Sequence, residues 1–600
     1  MSVLHFVSLM TRPSRFSKLL AHQPWLLGAL MAVLLLSGCG GSTAPQQHTQ
    51  STYIPPLPAI SGLPIAALQG KLVGLLPLDQ TLQLTVGLQI NRQGLAQALQ
   101  QIYDPTSPNY GKYLSAQQIA EQFGASSETI QQVTNWFSQQ GFQILSTSLL
   151  RNTLIVQATV LQIAKAFRIV LQQRALGGQT FFGPDQAPVL PNNIAPLITS
   201  ITGLDNFAQL LHPPTRDQAV GNLLNQPHTA APQAGTPPQV GDCTLYPFIG
   251  VTRDQLAQKY AFNTLYQKGI KGQGMKIGIV ELGEPYSRQD VANYAACNGV
   301  NLQVRNIDVD GTLAAGSGEG EAALDLEMIA GLAPDAQLLD YQATQPDDKS
   351  FLDVINQIAA DDQVQVVSIS YGEGEDQTTP AYMAQYEQSL ELLAVEGISV
   401  FISSGDCAAF VDGVYGQLQV SFPASAPWAI GVGGTSLDNG EHAWSDSTPD
   451  KSKCQNTWGT GGGVSQNKNF PRPPWQAGQG VQNKYSNGNR QVPDVAAAAD
   501  NIAVYYQSLW VPVGGTSAAA PIWAAGTLLV DQALRQQGKN ALGGVETIYQ
   551  IANHPGKYQP FHDITQGSNL YYKAGAGWDY PTGWGSPNFP DIARILGGLS

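Results

Sequence analysis

Two rhythms of apolar and polar positions run along this chain, and they are separated by a stretch with no rhythm at all. Leu82-Gln-Leu-Thr-Val-Gly-Leu-Gln-Ile90 alternates with period two, the mark of a half-buried strand. Leu95 to Tyr103 and Ser127 to Gln139 repeat their apolar residues at three and four, which predicts helices. Thr153 to Gln157 and Ala166 to Leu171 add further strand and helix pieces, so residues 67–205 read as an α+β unit. From about Ala208 to Gly241 the chain is rich in Pro, Gln, Asn and Ala without periodicity, which predicts an exposed linker. Beyond Cys243, short β-branched runs alternate with helical segments. The runs are Lys276 to Glu281, Gln365 to Ile369 and Ile398 to Ser403; the helices include Glu321 to Gly331 and Tyr382 to Glu396. Apolar runs between helices predict an α/β fold, a parallel sheet covered by helices on both faces. Sites in such sheets form at the carboxyl ends of strands, where Glu281 and Asp406 lie.

The N-terminus changes the picture from a plain folded chain to an exported one. Arg12, Arg15 and Lys18 precede an apolar run from Trp25 to Leu36, shorter than the roughly 20 residues of a spanning helix. The run ends in Leu36-Ser37-Gly38-Cys39, which resembles a bacterial lipobox and implies cleavage before Cys39 and lipidation of its thiol. An ordinary secretory signal with an incidental cysteine is the plainer alternative. Residues 40–66, rich in Gly, Ser, Thr, Gln and Pro, read as a tether. In an oxidising compartment Cys243, Cys297, Cys407 and Cys454 allow more than one connectivity; Cys243–Cys297 with Cys407–Cys454 is the expected one. Charged residues are only 12% and the net charge is −14, which argues against a nucleic-acid partner. A charge-poor, Gln-rich surface also loses little when carboxylates protonate.

The chemistry centres on Gly515-Thr516-Ser517-Ala518-Ala519-Ala520-Pro521. A serine hydroxyl is a poor nucleophile until a base takes its proton. Subtilisins carry a similar segment together with a histidine in a G-x-x-H-G-T setting. None of the eight histidines here stands in such a setting. A carboxylate is the natural substitute, and it moves the working range toward acid. Glu321-Ala-Ala-Leu-Asp325 puts two acids four apart on one helix face, where like charges repel by roughly a few tenths of a kcal/mol. Such a pair in isolation usually marks a solvated face. Here the stripe continues through Met328 and Leu332, so the pair heads an apolar, core-facing stripe.

Taken together these segments resemble the sedolisins, serine-carboxyl peptidases on the subtilisin fold, and their kumamolisin-like branch in particular. The match is carried by Glu321-x-x-x-Asp325, Gly515-Thr-Ser517, Ser403-Ser-Gly-Asp406, Phe422-Pro-Ala-Ser-Ala-Pro-Trp428 and Val432-Gly-Gly-Thr-Ser436. Gly461-Gly-Gly463, Pro473-Pro-Trp-Gln476 and Val492-Pro-Asp-Val495 extend it. Asp104-Pro-Thr-Ser-Pro-Asn-Tyr-Gly-Lys-Tyr113 resembles the family's activation prodomain. With the lipoprotein-type signal peptide at 1–39 and the tether at 40–66, the resemblance implies a prodomain at 67–205, a linker with the maturation site at 206–245 and a peptidase domain at 246–600.

It also implies roles. Ser517 is the nucleophile, Glu321 the general base and later acid, Asp325 its partner, and Asp406 the oxyanion acid. Glu281 and Tyr371 extend the hydrogen-bond network, although the family often has Trp at the position of Tyr371. Cys407-Ala408 likewise stands where Ser-Gly is frequent. Asp563, Ile564, Gly575, Gly577 and Asp579 resemble the family's loop for one structural calcium ion, with two carboxylates and three backbone carbonyls as hard oxygen ligands. The implied partners are protein or peptide substrates and the chain's own prodomain, an intramolecular inhibitor over the cleft; the implied state is a monomer. The expected location is the cell envelope, lipid-anchored at the outer membrane or surface, with the peptidase domain extracellular after maturation. Two other outcomes stay open: a tripeptidyl-peptidase, or an inactive surface binding protein on a peptidase scaffold.

Overall fold

The computed structural model describes residues 57–60, 62–208, 243, 250–313, 320–411, 417–445 and 458–600. The proposed lipobox, the tether's first part and nearly all of the linker lie outside them.

The N-terminal unit is α+β. Thr81–Leu88 pairs antiparallel with Thr153–Thr159 and with Ile198–Thr202, and Gln143–Thr147 closes the other edge. The helix Ser127–Gln139 begins where Ser126 accepts the backbone N–H of Thr129, satisfying a first-turn donor. Val160–Phe167 starts on a capping box between Thr159 and Gln162.

The C-terminal unit is built on a predominantly parallel sheet. Its strands run in the order Val304–Asp310, Gln337–Ala343, Lys276–Leu282, Val366–Ile369, Ser399–Ser403 and Ile430–Ser436, and Val495–Ala498 also pairs with the last of these. A short antiparallel strand, His442–Ala443, pairs with the far end of Ile430–Ser436. Alternate side chains leave for opposite faces. Ile277, Ile279, Leu338, Val366 and Phe401 join the core beneath the helices Gly320–Leu332 and Thr516–Gln536. Val280, Leu282, Leu339, Val367 and Ile402 join a second core, beneath Asp348–Asp361 and Pro380–Glu396.

That second core is shared with the N-terminal unit. Leu95, Leu99, Ile102, Tyr103, Ile119 and Phe123 complete it, so the N-terminal unit docks on the two helices opposite the Thr516–Gln536 face. Polar ties fix the docking. Thr85 donates to Asp353 at 2.7 Å, Asn152 to Asn356 at 2.6 Å, Thr199 to Gln385 at 2.6 Å and Tyr103 to the Ala394 carbonyl at 2.8 Å. The sequence suggested that this unit lies over the cleft. Its described body covers helices instead. Its two ends reach the carboxyl edge of the sheet: Ala66 N–H donates to the Asp376 carbonyl at 3.1 Å, and Asp205 lies near Asp347 and Asp348.

The helix Gly320–Leu332 also departs from its expected form. All thirteen of its residues are buried, so it has no solvated face and the predicted stripe is only part of its apolar surround. A helix clothed on every side this way is an interior element.

Candidate active site

Ser517 stands in the first turn of Thr516–Gln536, entered through Gly515 at φ 152° and ψ 152°. That conformation is essentially reserved for glycine. A Cβ at Gly515 would also lie 2.7 Å from Asp406 Oδ2. The turn is therefore pressed against the Asp406 carboxyl. Thr516 donates both its backbone N–H and its Oγ1 hydroxyl to Asp406 Oδ1, each at 2.7 Å. The Gly405 N–H in turn donates to Thr516 Oγ1 at 3.1 Å. Oδ1 is thus held by the helix start while Oδ2 faces the Gly515 side, three residues past the end of Ser399–Ser403.

Pro521 explains the spacing of the serine motif. Its ring nitrogen carries no N–H for the Ser517 carbonyl one turn below. Ser370 Oγ lies 3.4 Å from that carbonyl and donates to Asp325 Oδ1 at 2.8 Å. Ser370 follows directly on Val366–Ile369, so one strand end meets both the Ser517 helix and the carboxylate helix. Those two helices also pack against each other. Glu321 occupies the first turn of its helix, where the dipole favours an anion, and Asp325 lies one turn on. Both are buried, as are Asp406 and Ser517. Ser517 Oγ has no hydrogen-bond partner among the described residues.

Glu281 is next to last in Lys276–Leu282 and takes the Tyr371 hydroxyl on Oε2 at 2.9 Å. Burial, then the charges of Asp325, Asp340 and Glu321, push the Glu281 carboxyl well above the usual range. Burial and the Glu321 charge do the same to Asp325, against the lowering effect of Ser370. Desolvation disfavours the charged form and a like charge adds to it. The result is a buried cluster of carboxyls whose ionisation has been moved upward.

The structure brings Glu321, Asp325, Glu281 and Tyr371 to one edge of the sheet with Asp406 and Ser517. Sequence reasoning missed Ser370, which had no local signal beyond following a strand. It also missed Asp340, a lone acid inside the buried strand Gln337–Ala343.

The candidate calcium loop is described in full. Gly577 N–H donates to Asp563 Oδ2 at 3.0 Å and Gly575 N–H to Asp579 Oδ2 at 2.7 Å. Thr582 holds Asp579 Oδ1 through its N–H and hydroxyl, both at 2.9 Å. Two carboxylates thus converge on one glycine turn. Burial chiefly, with some repulsion from Asp563, lifts Asp579 to about 7. Two acids sharing a turn with this electrostatic cost fit a bound cation. His562, half-buried beside them, has its imidazole pushed down by burial. Among the described residues no group of three or more His, Cys, Asp or Glu side chains forms a metal cage, so any ion here would lean on backbone carbonyls.

Cys243 and Cys297 form a disulfide. Cys407 is also disulfide-bonded. Its expected partner Cys454, and Cys39, lie outside the described residues.

Comparison with known proteins bears on the whole arrangement. Residues 69–207 match the family described as Pro-kumamolisin, activation domain, and residues 307–585 match the Subtilase family. Kumamolisin of Bacillus sp. (strain MN-32) is 31% identical over 536 residues, 85% of this chain and 90% of the relative. Sedolisin of Pseudomonas sp. (strain 101) is 28% identical, covering 86% of each chain. Tripeptidyl-peptidase 1 of Mus musculus is 27% identical over 86% of this chain and 92% of its own. A solved structure of Pseudomonas sedolisin, complexed with two molecules of pseudo-iodotyrostatin, aligns at 26% identity and a TM-score of 0.49 over 56% of this chain and 97% of that one. With a matching prodomain, a subtilase-type sheet and a relative this similar along nearly its full length, the chain belongs to the sedolisin family of serine-carboxyl peptidases.

Proposed function

We propose that this peptidase is an acid-acting endopeptidase, made as a zymogen, that cleaves through an acyl-enzyme on Ser517. The observation that carries the reading is the tie between Asp325, Ser370 and the Ser517 turn, with Asp406 locked against that turn from the other side. Ser517 Oγ attacks the peptide carbonyl and passes its proton to Glu321, which Asp325 orients. Glu321 then protonates the leaving amine, and water repeats the sequence in reverse. Asp406 donates to the oxyanion from its Oδ2 side, which a carboxyl can do only while protonated. A carboxylate base and a carboxylic-acid donor together call for an acid optimum.

Asp563 and Asp579, with the carbonyls of Ile564, Gly575 and Gly577, would hold one calcium ion that stabilises the C-terminal loop. Cys39 would carry the lipid that anchors the exported precursor. Acid-triggered cleavage in the 206–250 linker would then free the peptidase domain from both anchor and prodomain. The likeness to tripeptidyl-peptidase 1 supports a second reading, removal of tripeptides from free N-termini.

The test is peptidase activity from about pH 2 to 8 on a denatured protein, for the acid-processed native chain and Ser517→Ala, with product lengths measured. Internal cuts peaking in acid and abolished by the substitution support the proposal. A neutral optimum would show that the base is wrongly assigned. Products of uniform tripeptide length would establish the second reading. A processed but inactive protein would favour a binding scaffold.

A further inference from the structure

Asp340 is a carboxyl without an obvious reason to be where it is. It sits at the centre of Gln337–Ala343, a strand buried from Leu338 onward, and is itself fully buried. Burying a carboxylate is costly unless a cation or several donors meet it. Arg490 and Asp494 show the usual solution elsewhere in this fold, a buried bidentate pair at 2.8 and 2.6 Å. Among the described residues Asp340 has no ion pair of that kind, and Asp308 adds a further like charge.

Register shows what it faces. In the parallel pairing Asp340 stands opposite Ile279, and Gln342 opposite Glu281. Ile279 belongs to the core beneath the carboxylate and serine helices. Residues of the same parity share a face. Asp340, Gln342 and Glu281 therefore lie on the side that carries Asp325. The charges of Glu281, Asp325 and Asp340 act on one another across this face.

The three carboxyls are furnished alike. Each has one oxygen held by a neutral donor: Tyr371 on Glu281 Oε2 at 2.9 Å, Ser370 on Asp325 Oδ1 at 2.8 Å and Gln342 Nε2 on Asp340 Oδ2 at 2.6 Å. Each has its second oxygen buried and without a hydrogen-bond partner among the described residues. The Gln342 donor is fixed in turn. Asn306 Nδ2 donates to Gln342 Oε1 at 3.1 Å, and the Tyr286 hydroxyl donates to Asn306 Oδ1 at 2.9 Å. A side chain that merely filled space would not need this chain of donors behind it.

We propose that Asp340 is a further member of the catalytic acid network, a positioning residue that acts on the nucleophile only through Glu281 and Asp325. The inference rests on the serine-carboxyl reading of the site. Burial puts the Asp340 carboxyl at about 7. Its bare oxygen therefore carries a proton through the acid range and surrenders it as the medium approaches neutrality. The added charge then faces Glu281, Asp325, Asp308 and Tyr286. Each of the first two holds its own proton more tightly for that reason. Asp340 thereby extends the pH range over which the network keeps the proton that the mechanism shares.

The test compares the acid-processed native chain with Asp340→Asn, whose side chain is nearly isosteric and can still accept from Gln342. The readouts are kcat/KM for a peptide substrate from about pH 2 to 8 and melting temperature over the same range, with Ser517→Ala as the control. Removing the Asp340 charge lets Glu281 and Asp325 ionise earlier, so the alkaline limb should move toward acid by about half a pH unit or more. The decline in melting temperature above about pH 6 should flatten in the same variant. An unmoved pH profile with a lower melting temperature at every pH would overturn the proposal and leave Asp340 a fold-holding residue. If Asp340→Asn does not fold, Asp340→Leu carries the same two readouts. Failure of the underlying mechanism would look different: native activity would survive in Ser517→Ala or peak at neutral pH.

Discussion

Replacing Ser370 by alanine breaks the hydrogen bond that ties the Asp325 carboxyl to the serine helix. Ser370 Oγ donates to Asp325 Oδ1 at 2.8 Å and stands 3.4 Å from the Ser517 carbonyl that Pro521 leaves open. Both side chains are buried, so no solvent donor replaces the lost one. A bond from a neutral donor to an ionised acceptor contributes roughly 1.5–3 kcal/mol. The bond favours the charged form of Asp325, so its loss raises a carboxyl that burial and Glu321 have already raised. At about 1.4 kcal/mol per pKa unit, the rise is on the order of one unit or more. Glu321 and Asp325 titrate as a pair, and the pair then loses its first proton at higher pH. The acid limb of kcat/KM against pH should move up by about one unit, a fall of about tenfold on the acid side with little change at the optimum. The assay is an internally quenched peptide read from about pH 2 to 8, alongside the melting temperature of each protein. An unmoved acid limb, with a melting temperature lowered by the lost bond, would refute the reasoning and make Ser370 a fold-holding residue only.

Three further outcomes follow from the same structure. Asp205 is raised to about 6, and Asp348, Asp353, Glu391 and Asp531 each to about 7, chiefly by burial. Their folded values exceed their unfolded ones, so their contribution is full below about pH 4 and is lost as pH rises through about 6 to 7. Full-length Ser517→Ala should therefore melt several degrees higher near pH 4.5 than near pH 7.5, and a higher melting temperature at neutrality would refute this. Chelation of calcium should lower the melting temperature of the processed enzyme by several degrees, and Asp579→Ala should abolish that response; an unchanged chelator response in the variant would place the ion elsewhere. If the maturation cut lies before Cys243, the prodomain should separate from the peptidase domain on a non-reducing gel. Separation only after reduction would place the cut beyond Cys243, inside the loop closed by Cys297.

Much of the fold was legible because its elements announce themselves locally. Ser127–Gln139 has an unbroken helical period and a serine cap, and it forms over the predicted residues. Gln365 to Ile369 needed only one residue trimmed. What stayed hidden was created by contacts from far along the chain. Glu327, a charged residue beside the Met328 and Leu332 stripe, is buried and takes the Tyr505 N–H at 2.8 Å. Thr85 sits at a polar position of a period-two strand and reads as solvent-facing. It is fully buried because Asp353, on the opposite unit, accepts its hydroxyl. Asn152 and Thr199 were hidden for the same reason. The candidate nucleophile, base and oxyanion residues stand in motifs, whereas Ser370 and Asp340 owe their places to strand order and register, which no local pattern encodes.

The proposed acid range has two sources in this molecule, and they point the same way. In the proposed site, carboxyls stand in for the histidine and must share protons to work. At the docking face between the units, desolvation raises the carboxyls of Asp353, which is buried, and of Glu391, which is partly so, against the lowering charges of Lys349 and Arg92. Protonation removes the cost of burying these groups, so acid tightens the docked state in their vicinity. A zymogen that merely waited for its prodomain to loosen in acid would need the opposite sign. On the proposed mechanism release would come from chemistry: acid would switch on the carboxyl network, the network would cut the linker, and separation would follow because the severed unit is no longer held at the high effective concentration of a single chain. On this logic the prodomain of an uncleavable Ser517→Ala chain stays docked in acid, and the cut, not the pH, is the step that opens the enzyme.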